Sequence, residues 1–250
     1  MKTCCVIPAR YASTRFPGKP LADICGKPMV VRVFERVHAY FSDALVATDD
    51  ERIAAVVEHF GIRCEMTRSD HKTGSDRVAE IAERFPDYDV YVNVQGDEPL
   101  LPQESIHPII EAVTPRRVSC AMAVETEDDV IGHTPRVVFT SERQAIYFSR
   151  SAIPGTKTGK ATRYKQVCIY GFSKSALEYF REWERGPLEQ LEDIELLRFI
   201  EHLYPINMVE VPPGAIAVDT PSDLTRVVAE WRKRRECQDL SDDRQRDRGA

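Results

Sequence analysis

Short apolar runs alternate with longer amphipathic runs through the first part of the chain, and this alternation constrains the fold more than any other feature. The apolar runs have the length of buried strands, and the amphipathic runs carry apolar residues at helical spacing. The strand-like runs are residues 4–8, 44–48, 64–66 and 89–94, and the helix-like runs are residues 29–40, 51–60 and 76–84. Such alternation predicts parallel strands joined by right-handed crossovers. The predicted fold class is therefore α/β, with a mostly parallel sheet flanked by helices.

The rest of the chain continues with more mixed segments. The pattern predicts helices over residues 103–113, 175–183, 188–202 and 222–235, strands over residues 119–124, 136–139 and 207–211, and two further apolar runs, 146–150 and 168–172. Thr220, Pro221 and Asp223 give the last helix an N-cap, a first-turn proline and an acid near the positive end of its dipole. Residues 236–250 alternate in charge with almost no apolar residues, which predicts a disordered tail. We expect one domain over residues 1–235.

Composition and charge narrow the class of partner. The chain has 250 residues with 34 basic and 40 acidic side chains, and its net charge of −6 argues against a general nucleic-acid or membrane surface. No apolar run approaches the ~20 residues of a membrane span. Seven cysteines without a C-x-x-C pair are typical of reduced thiols, and the chain enters its first strand without a signal peptide. We expect a cytoplasmic protein that binds neither nucleic acid nor membrane.

The loop after the first strand concentrates positive charge in Arg10, Arg15 and Lys19. Prolines fix φ and Gly18 permits unusual φ values, so the loop can hold one shape while its backbone N–H groups stay available. A preformed cationic turn at the carboxyl end of a strand suits a polyphosphate. It is not a Walker A loop, because no Gly-Lys-Ser/Thr tripeptide closes it. The alternative interpretation is a solvated basic loop.

Two aspartates far apart in sequence, Asp97 and Asp219, fall at predicted strand ends. In an open α/β sheet, ligands bind beyond the carboxyl ends of the strands, so the two side chains can converge there. Mg²⁺ prefers hard oxygen ligands and usually shares them with phosphates, so paired carboxylates over a triphosphate are a candidate magnesium site. The alternatives are a turn aspartate at 97 and a helix-cap neighbour at 219.

The opening segment also carries a family resemblance. Its sequence Pro-Ala-Arg-Tyr-Ala-Ser-Thr-Arg-Phe-Pro-Gly-Lys-Pro-Leu, residues 8–21, closely resembles the signature of the 3-deoxy-manno-octulosonate (Kdo) cytidylyltransferases, and the similarity continues through most of residues 1–230. The resemblance implies a Rossmann-like nucleotidyltransferase fold with a small inserted dimerisation region at about 145–185. It also implies that the chain forms a homodimer, binds Mg²⁺, and transfers CMP from CTP to a small acidic acceptor.

The resemblance implies roles for individual residues on the nucleotide side. Arg10, Arg15, Lys19 and Asp97 would be catalytic, Asp97 and Asp219 would hold the metal, and Ala9 would contact the nucleotide. Residues 73–77 resemble the family's base-reading segment, His-x-Ser-Gly-Thr-[Asp/Glu]-Arg, which implies nucleotide contacts from the following residues: Thr73, Gly74, Arg77 and Gln95. A helix N-cap at Ser75 is a plainer interpretation that is compatible with this one.

The acceptor side resembles the family less closely. Arg150, Tyr170 and Glu195 match positions that contact the sugar acid in the family, and Gln95 would lie beside them. Gln166 and Leu196 replace the histidine and glutamine expected there. Loss of two polar groups predicts altered specificity, because a site that bonds hydroxyls discriminates strongly. The expected acceptor is Kdo, and the alternative acceptors are 8-amino-Kdo, another acidic sugar or a phosphonate such as phosphonoformate. A different alternative is that the chain is a non-catalytic nucleotide-binding module. Ordinary drift within the family would also explain the two replacements.

Overall fold

The structure is a computed structural model that describes residues 1–13, 15–126, 134–157, 159, 161–214 and 216–246, except for the side chains of 103 and 235–246. Its strands are β1 Thr3–Ala9, β2 Ala44–Thr48, β3 Cys64–Met66, β4 Val90–Val94, β5 Val118–Val124, β6 Arg136–Phe139, β7 Ala145–Ser149, β8 Tyr164–Ser173 and β9 Ile206–Glu210. Its helices are α1 Met29–His38, α2 Glu51–His59, α3 Gly74–Arg84, α4 Ile106–Glu111, α5 Lys174–Glu182, α6 Pro187–Glu192, α7 Leu197–Glu201 and α8 Pro221–Arg246.

The strands form one mixed sheet in the order β3-β2-β1-β4-β8-β5-β9, with β6 paired to β7 and β8 beside this path. The pairs β3–β2, β2–β1, β1–β4 and β5–β9 are parallel. Strand β8 runs antiparallel to both of its neighbours, β4 and β5, so the strands on either side of it point the same way. The prediction of an α/β fold with a mostly parallel sheet is confirmed.

Each face of the sheet is covered by a hydrophobic core, and β1 contributes to both because its side chains alternate between faces. Cys5, Ile7 and Ala9 face one core, which includes α1 and α2 through residues such as Val30 and Ile53. On the other face, residues of β1 pack with α3, α5 and α7. The strand is therefore buried on both faces, and only its carboxyl end opens towards a ligand.

The segment 188–202 forms two helices where the sequence predicts one. Helix α6 ends before Asp193, which has φ of 50°, and α7 begins at Leu197. Asp tolerates the left-handed region better than most residues, so it can stop a helix whose composition would allow it to continue. The break matters because it places the backbone carbonyls of Glu192 and Asp193 and the side chain of Glu195 at the candidate site described below.

The region predicted as an insertion at about 145–185 is partly integral to the sheet. Strand β8 lies between β4 and β5, and α5 packs on α3. The family resemblance implied a separate region here, and the residues alone showed only 168–172 of this strand as an apolar run, whereas β8 begins at Tyr164. Homodimerisation through this region stays a prediction.

The last helix is longer than predicted. It continues to Arg246, whereas the sequence predicts that order ends at residue 235; residues 247–250 lie outside the described residues. A charged segment with little apolar surface cannot nucleate its own fold, but Arg, Lys, Glu and Gln are good helix formers and can extend a helix that has already started. In the described part of the chain, no helix combines the length and apolar character that a membrane span requires.

Deletion of residues 237–250 should leave both the melting temperature and the activity unchanged. The last described side chain of α8 that bonds to the body of the protein is Arg234, whose guanidinium donates to the Leu100 carbonyl. The deleted segment has too few apolar residues to offset the entropy of ordering it. Thermal unfolding of the truncated and full-length chains tests this, and a clear fall in melting temperature would mean that the segment docks on the protein.

Candidate active site

A cavity of about 660 Å³ lies at the carboxyl ends of β1, β4 and β5. Its walls come from the opening loop, the start of α3, the turn after β4, strand β8 and the segment before α8. Of the residues singled out from the sequence, the cavity is lined by Ala9, Arg10, Arg15, Lys19, Thr73, Gly74, Arg77, Gln95, Asp97, Arg150, Gln166, Tyr170, Glu195 and Asp219. Residues from both ends of the chain therefore meet at one site.

Lys19 joins the two predicted metal carboxylates. Its Nζ lies 2.6 Å from Asp97 Oδ2 and 3.3 Å from Asp219 Oδ1, and it donates to the Val218 carbonyl at 3.0 Å. Burial by itself would lower the pKa of this lysine, but the two carboxylates outweigh that effect and raise it. Lys19 is therefore a fixed positive charge on the cavity wall.

The convergence of Asp97 and Asp219 depends on a backbone contact. The Val218 N–H donates to the Asp97 carbonyl at 2.9 Å. The predicted cap of α8 is present: Asp223 accepts from the Thr220 backbone N–H, and Thr220 Oγ1 accepts from the Asp223 N–H. Asp223 Oδ2 also accepts from the Asp219 N–H, so the cap holds the backbone of Asp219. Asp219 follows no strand; it lies in the segment before α8, because β9 ends at Glu210.

The other two cations of the opening loop also face the cavity. Arg15 pairs with Asp219 at 3.1 Å, and Arg10 is exposed on the cavity wall. Gly18 has φ of 71°, and its N–H donates to the Tyr11 carbonyl, which closes the loop on itself. The opening loop thus forms a hydrogen-bonded turn whose cations line the cavity.

Asp97 and Asp219 fit a magnesium ion only in part. Both present hard carboxylate oxygens to the cavity, and both already attract the ammonium of Lys19. In the described part of the chain, no three His, Cys, Asp or Glu side chains are grouped as a metal site. A pair of carboxylates with phosphate oxygens completing the shell is the arrangement that Mg²⁺ commonly adopts.

The start of α3 forms a close-fitting wall of the cavity. Thr73 is the N-cap, not Ser75 as the sequence suggested, and it forms a capping box with Asp76. A Cβ added at Gly74 would lie 2.8 Å from Gln95 Nε2 and 3.1 Å from Pro8 Cγ. A larger residue here would therefore displace the Gln95 amide and press on Pro8, so glycine lets the backbone of this segment approach closely.

Arg77 lines the cavity, but its guanidinium also supports the protein. It pairs with Asp49 at 2.8 Å and donates to Thr67 Oγ1 and the Arg68 carbonyl, and the residue is buried. Its contacts tie α3 to the end of β2 and the loop after β3. The structure therefore places this predicted base-reading residue where it also holds the wall in shape.

Glu195 connects the nucleotide side of the cavity to the acceptor side. Its Oε2 accepts from the Ser75 N–H at 2.8 Å, and its Oε1 accepts from Gln95 Nε2 at 3.1 Å. Burial raises the pKa of this carboxyl, and the bond from Ser75 opposes that rise. Glu195 therefore orients Gln95 and anchors the first turn of α3.

Two backbone carbonyls orient the guanidinium of Arg150. Its Nε donates to the Glu192 carbonyl at 2.7 Å and its NH2 group to the Asp193 carbonyl at 2.9 Å, both at the break between α6 and α7. The Arg150 backbone N–H also donates to Glu192 Oε2 at 2.9 Å, so a carboxylate lies close to the arginine as well. The arrangement suits recognition of an anion such as a carboxylate.

Gln166 and Tyr170 are adjacent on the wall formed by β8. Gln166 Nε2 donates to the Tyr170 hydroxyl at 2.7 Å, while Gln166 Oε1 is buried without a hydrogen-bond partner among the described residues. Burial raises the pKa of Tyr170 well above its usual value, so this hydroxyl stays protonated. The expected loss of polar character at position 166 is therefore incomplete, because the amide remains a hydrogen-bonding group.

Leu196 is the one predicted site residue that does not reach the cavity. Its side chain is fully buried in the core that contains Phe172 and Phe199. The prediction of a substrate contact at this position is not supported by the structure, because the backbone at 196 starts α7 and directs this side chain into the core. Of the two replacements that predicted altered specificity, only Gln166 therefore lines the acceptor side of the cavity.

The sequence analysis missed several residues that line the cavity. Glu98 accepts from the Cys168 N–H at 3.2 Å, and the Gln95 N–H donates to the Cys168 carbonyl at 3.3 Å. Cys168 is available because the pairing of β8 with β5 shifts between Cys120 and Ala121, leaving a bulge. Burial, and then Asp97, raise the pKa of Glu98 to about 7. The clue was the Gln-Gly-Asp-Glu-Pro motif; no local pattern signals the bulge.

Basic residues that were not singled out as site residues also line the walls. His71 and Lys72 line the side formed by the loop before α3, Lys165 lies beside Gln166, and Arg226 lies on the first turns of α8. Lys165 is 8% exposed, and it adds a buried positive charge near Glu98. Lys165 could have been singled out, since it directly precedes Gln166 in the sequence.

Comparison with known proteins places this chain in a family. The family model for cytidylyltransferases matches residues 4–206. A 3-deoxy-manno-octulosonate cytidylyltransferase of Geobacter metallireducens is 43% identical over 247 residues, covering 91% of this chain and 97% of the relative. The enzyme of the same name from Geotalea uraniireducens is 42% identical over 252 residues, covering 93% and 100%.

A solved structure agrees with these relatives. It is that of CMP:2-keto-3-deoxy-manno-octonic acid synthetase complexed with CTP, which superposes with a TM-score of 0.86 at 35% sequence identity and covers 94% of this chain and 100% of that one. The chain therefore has a nucleotidyltransferase fold. The chain belongs to the cytidylyltransferase family.

Replacement of Leu196 by Gln should destabilise the protein without adding a contact to the cavity. A glutamine amide at this fully buried position would lose its water without gaining a partner, at a cost of about 2–4 kcal/mol. Thermal or urea unfolding measures the change, with Gln166→Asn as the control in the cavity wall. An unchanged stability for Leu196→Gln would show that the side chain reaches the cavity after all.

Proposed function

We propose that this chain transfers CMP from CTP to Kdo, giving CMP-Kdo and pyrophosphate. The observation that carries the proposal is the position of Lys19 between Asp97 and Asp219 at the edge of the cavity. One side of this cavity is closed by the start of α3 around Gly74, called here the Gly74 wall. The names of the relatives and the CTP bound to the solved neighbour support the choice of nucleotide and acceptor.

The cations of the opening loop bind the triphosphate in this mechanism. Arg10, Arg15 and Lys19 neutralise the β- and γ-phosphates, on which charge accumulates as pyrophosphate leaves. Lys19 is charged before the substrate binds, because its carboxylate partners raise its pKa. Phosphoryl and nucleotidyl transfers need little covalent work from the protein, so positioning and charge are the main contributions of these side chains.

Asp97 and Asp219 would hold Mg²⁺ on the phosphates. When bound, the ion would supply charge neutralisation and lower the pKa of the attacking hydroxyl, so a dedicated general base is not required. The two carboxylates would then exchange part of their contact with Lys19 for the metal, and the lysine would turn to the phosphates.

The acceptor binds on the wall formed by β8 and the break after α6. The guanidinium of Arg150 binds the carboxylate, and Gln166 and Tyr170 face the hydroxyls beyond it. Gln95, which Glu195 orients, lies between the two substrates. The acceptor hydroxyl is thereby held against the α-phosphate on the side opposite the leaving pyrophosphate.

Pyrophosphate release with CTP and a panel of acids tests the proposal. The panel contains Kdo, 8-amino-Kdo, a further acidic sugar and phosphonoformate, each with CTP, ATP, GTP and UTP. Kdo with CTP should be the fastest pair. Faster pyrophosphate release with another acid would identify that acid as the acceptor instead of Kdo. Binding of CTP without pyrophosphate release for any acid would favour a non-catalytic nucleotide-binding module.

Asp97→Asn and Asp219→Asn should each reduce turnover to below about 1% of the wild type. An amide keeps the shape of the side chain but removes the charge that both Lys19 and a divalent ion require. Pyrophosphate release across a Mg²⁺ titration is the measurement, and circular dichroism checks the fold. Near-normal turnover with normal Mg²⁺ dependence in both variants would contradict the assignment.

Lys19→Ala should lower kcat by about 100-fold or more and weaken CTP binding, because it removes a charge that faces the leaving group. Lys27→Ala is the matched control: Lys27 is also in the segment after β1, but it pairs with Glu35 at the surface. Steady-state kinetics and calorimetric CTP binding distinguish the two. Equal behaviour of both variants would return the opening loop to a solvated surface.

We also propose that the active form is a cytoplasmic homodimer. Ile146 and Tyr179, within the predicted dimerisation region, and Leu191 and Leu203 near it are large apolar side chains that are about half or more exposed. Covering such side chains with a second copy would remove them from water. The six described cysteines are free thiols, which suits a reducing compartment. Light scattering of the purified chain tests the dimer.

A further inference from the structure

Helix α8 closes a third, small hydrophobic cluster beside the cavity. Ile24, Met29, Leu100, Val218 and Val227 are its fully buried members. The partly buried residues packed against it are Phe16, Ile216, Leu224, Val228 and Trp231. This cluster is distinct from the two main cores on the faces of the sheet.

The members of this cluster lie on the segments that carry the reacting groups. Phe16 directly follows Arg15, and Val218 directly precedes Asp219. Leu100 belongs to the turn that contains Asp97, and Val227 and Trp231 come from α8. The cluster therefore joins the opening loop to both aspartates, whereas neither main core contains all three segments.

A set of arginines reinforces the same junction. The Arg32 guanidinium stands 5.0 Å from the centre of the Trp231 ring and donates to the carbonyls of Ile24 and Cys25. Arg36 of α1 donates to the Leu101 carbonyl at 2.8 Å. Arg234 of α8 donates to the adjacent Leu100 carbonyl at 3.3 Å. Helices α1 and α8 thus hold the segment after Asp97 from two sides.

These contacts give α8 two anchors. Its first turn holds the Asp219 backbone through Asp223, and the Trp231 ring packs against the cluster further along the helix. Loss of the second anchor would leave the two main cores intact but free the helix to shift. A shift of α8 would carry Asp219 with it and change its distance from Asp97 and Lys19.

We infer that Trp231 is a positioning residue that acts through Asp219, by fixing α8 so that the carboxylates of Asp97 and Asp219 face the same point. The inference rests on the proposed function, because that point is where the triphosphate and its metal would bind. The indole N–H of Trp231 is buried without a partner among the described residues, so the ring acts through its shape and its face.

The test compares two tryptophans. Trp231→Ala removes the anchor, Trp231→Phe keeps an aromatic ring, and Trp183→Ala removes the other tryptophan of the chain, which packs on Phe199 and His202 in a main core. The measurement is the dissociation constant of CTP by calorimetry, with and without Mg²⁺, together with the melting temperature. Asp219→Asn gives the reference for full loss of the metal effect.

In the wild type, Mg²⁺ should tighten CTP binding. In Trp231→Ala, the increase in CTP affinity caused by Mg²⁺ should be about 5- to 10-fold smaller than in the wild type, while the affinity for metal-free CTP stays within about twofold of the wild-type value. Trp231→Phe should recover the gain, and Trp183→Ala should retain it even where its melting temperature falls further. Val227→Ala, a smaller change in the same cluster, should show a partial loss and replaces Trp231→Ala if that variant does not fold.

Three results would overturn the inference. The first is that Mg²⁺ tightens CTP binding in Trp231→Ala as much as in the wild type, or does so in Val227→Ala where Trp231→Ala does not fold. The second is that Trp183→Ala loses as much of this effect of Mg²⁺ as Trp231→Ala does. The third is that Mg²⁺ does not tighten CTP binding in the wild type. None of these contradicts CTP as the substrate. A wild-type chain that does not bind CTP at all would instead contradict the proposed function, and the inference with it.

Discussion

The active site depends on one lysine that is held between two carboxylates. Burial of Lys19 by itself would lower its pKa, and the nearby Asp97 and Asp219 outweigh that effect and raise it. The same interaction holds together segments that are about two hundred residues apart in the chain. In the structure, Lys19 lies between two like charges and pairs with both. The proposed mechanism requires all three groups to exchange these contacts for a triphosphate and a divalent ion.

A second constraint joins the nucleotide side of the cavity to the acceptor side. Arg198 binds Glu189 with two hydrogen bonds of 2.7 and 2.8 Å and reaches Asp76 at 3.0 Å, all in largely buried surroundings. Asp76 is the capping-box partner of Thr73, and Arg198 lies one turn after Glu195. Displacement of α7 would therefore disturb both the Gly74 wall and the carboxylate that orients Gln95. A bidentate arginine suits this role because its planar fork fixes direction as well as distance.

Much of this architecture could be predicted from the sequence, because the relevant signals are local. The continuous apolar run of β1 and the helical spacing of α1 to α3 predicted the parallel half of the sheet. The opening loop, and the family resemblance of the segment that contains Gly74, predicted the nucleotide side. The convergence of Asp97 with Asp219 was also expected, although for the wrong reason: Asp219 follows no strand but is brought in by the cap of α8 and a backbone bond from Val218.

The features that could not be predicted depend on tertiary structure. Asp193, in the left-handed region, ends a helix that the sequence pattern predicts to continue. The break leaves backbone carbonyls that accept hydrogen bonds from Arg150. The bulge at Cys168 depends on the register of two strands, so no pattern within β8 signals it. Leu196 was assigned to the pocket by position in a motif, but the direction of a side chain at a helix start is set by packing.

The most direct test of the account is a crystal structure of the protein with CTP and Mn²⁺, in which anomalous scattering locates the metal. The account predicts an anomalous peak within bonding distance of carboxylate oxygens of both Asp97 and Asp219, with Lys19 Nζ turned to the triphosphate. A peak that contacts neither aspartate, or a triphosphate bound away from the opening loop, would contradict it.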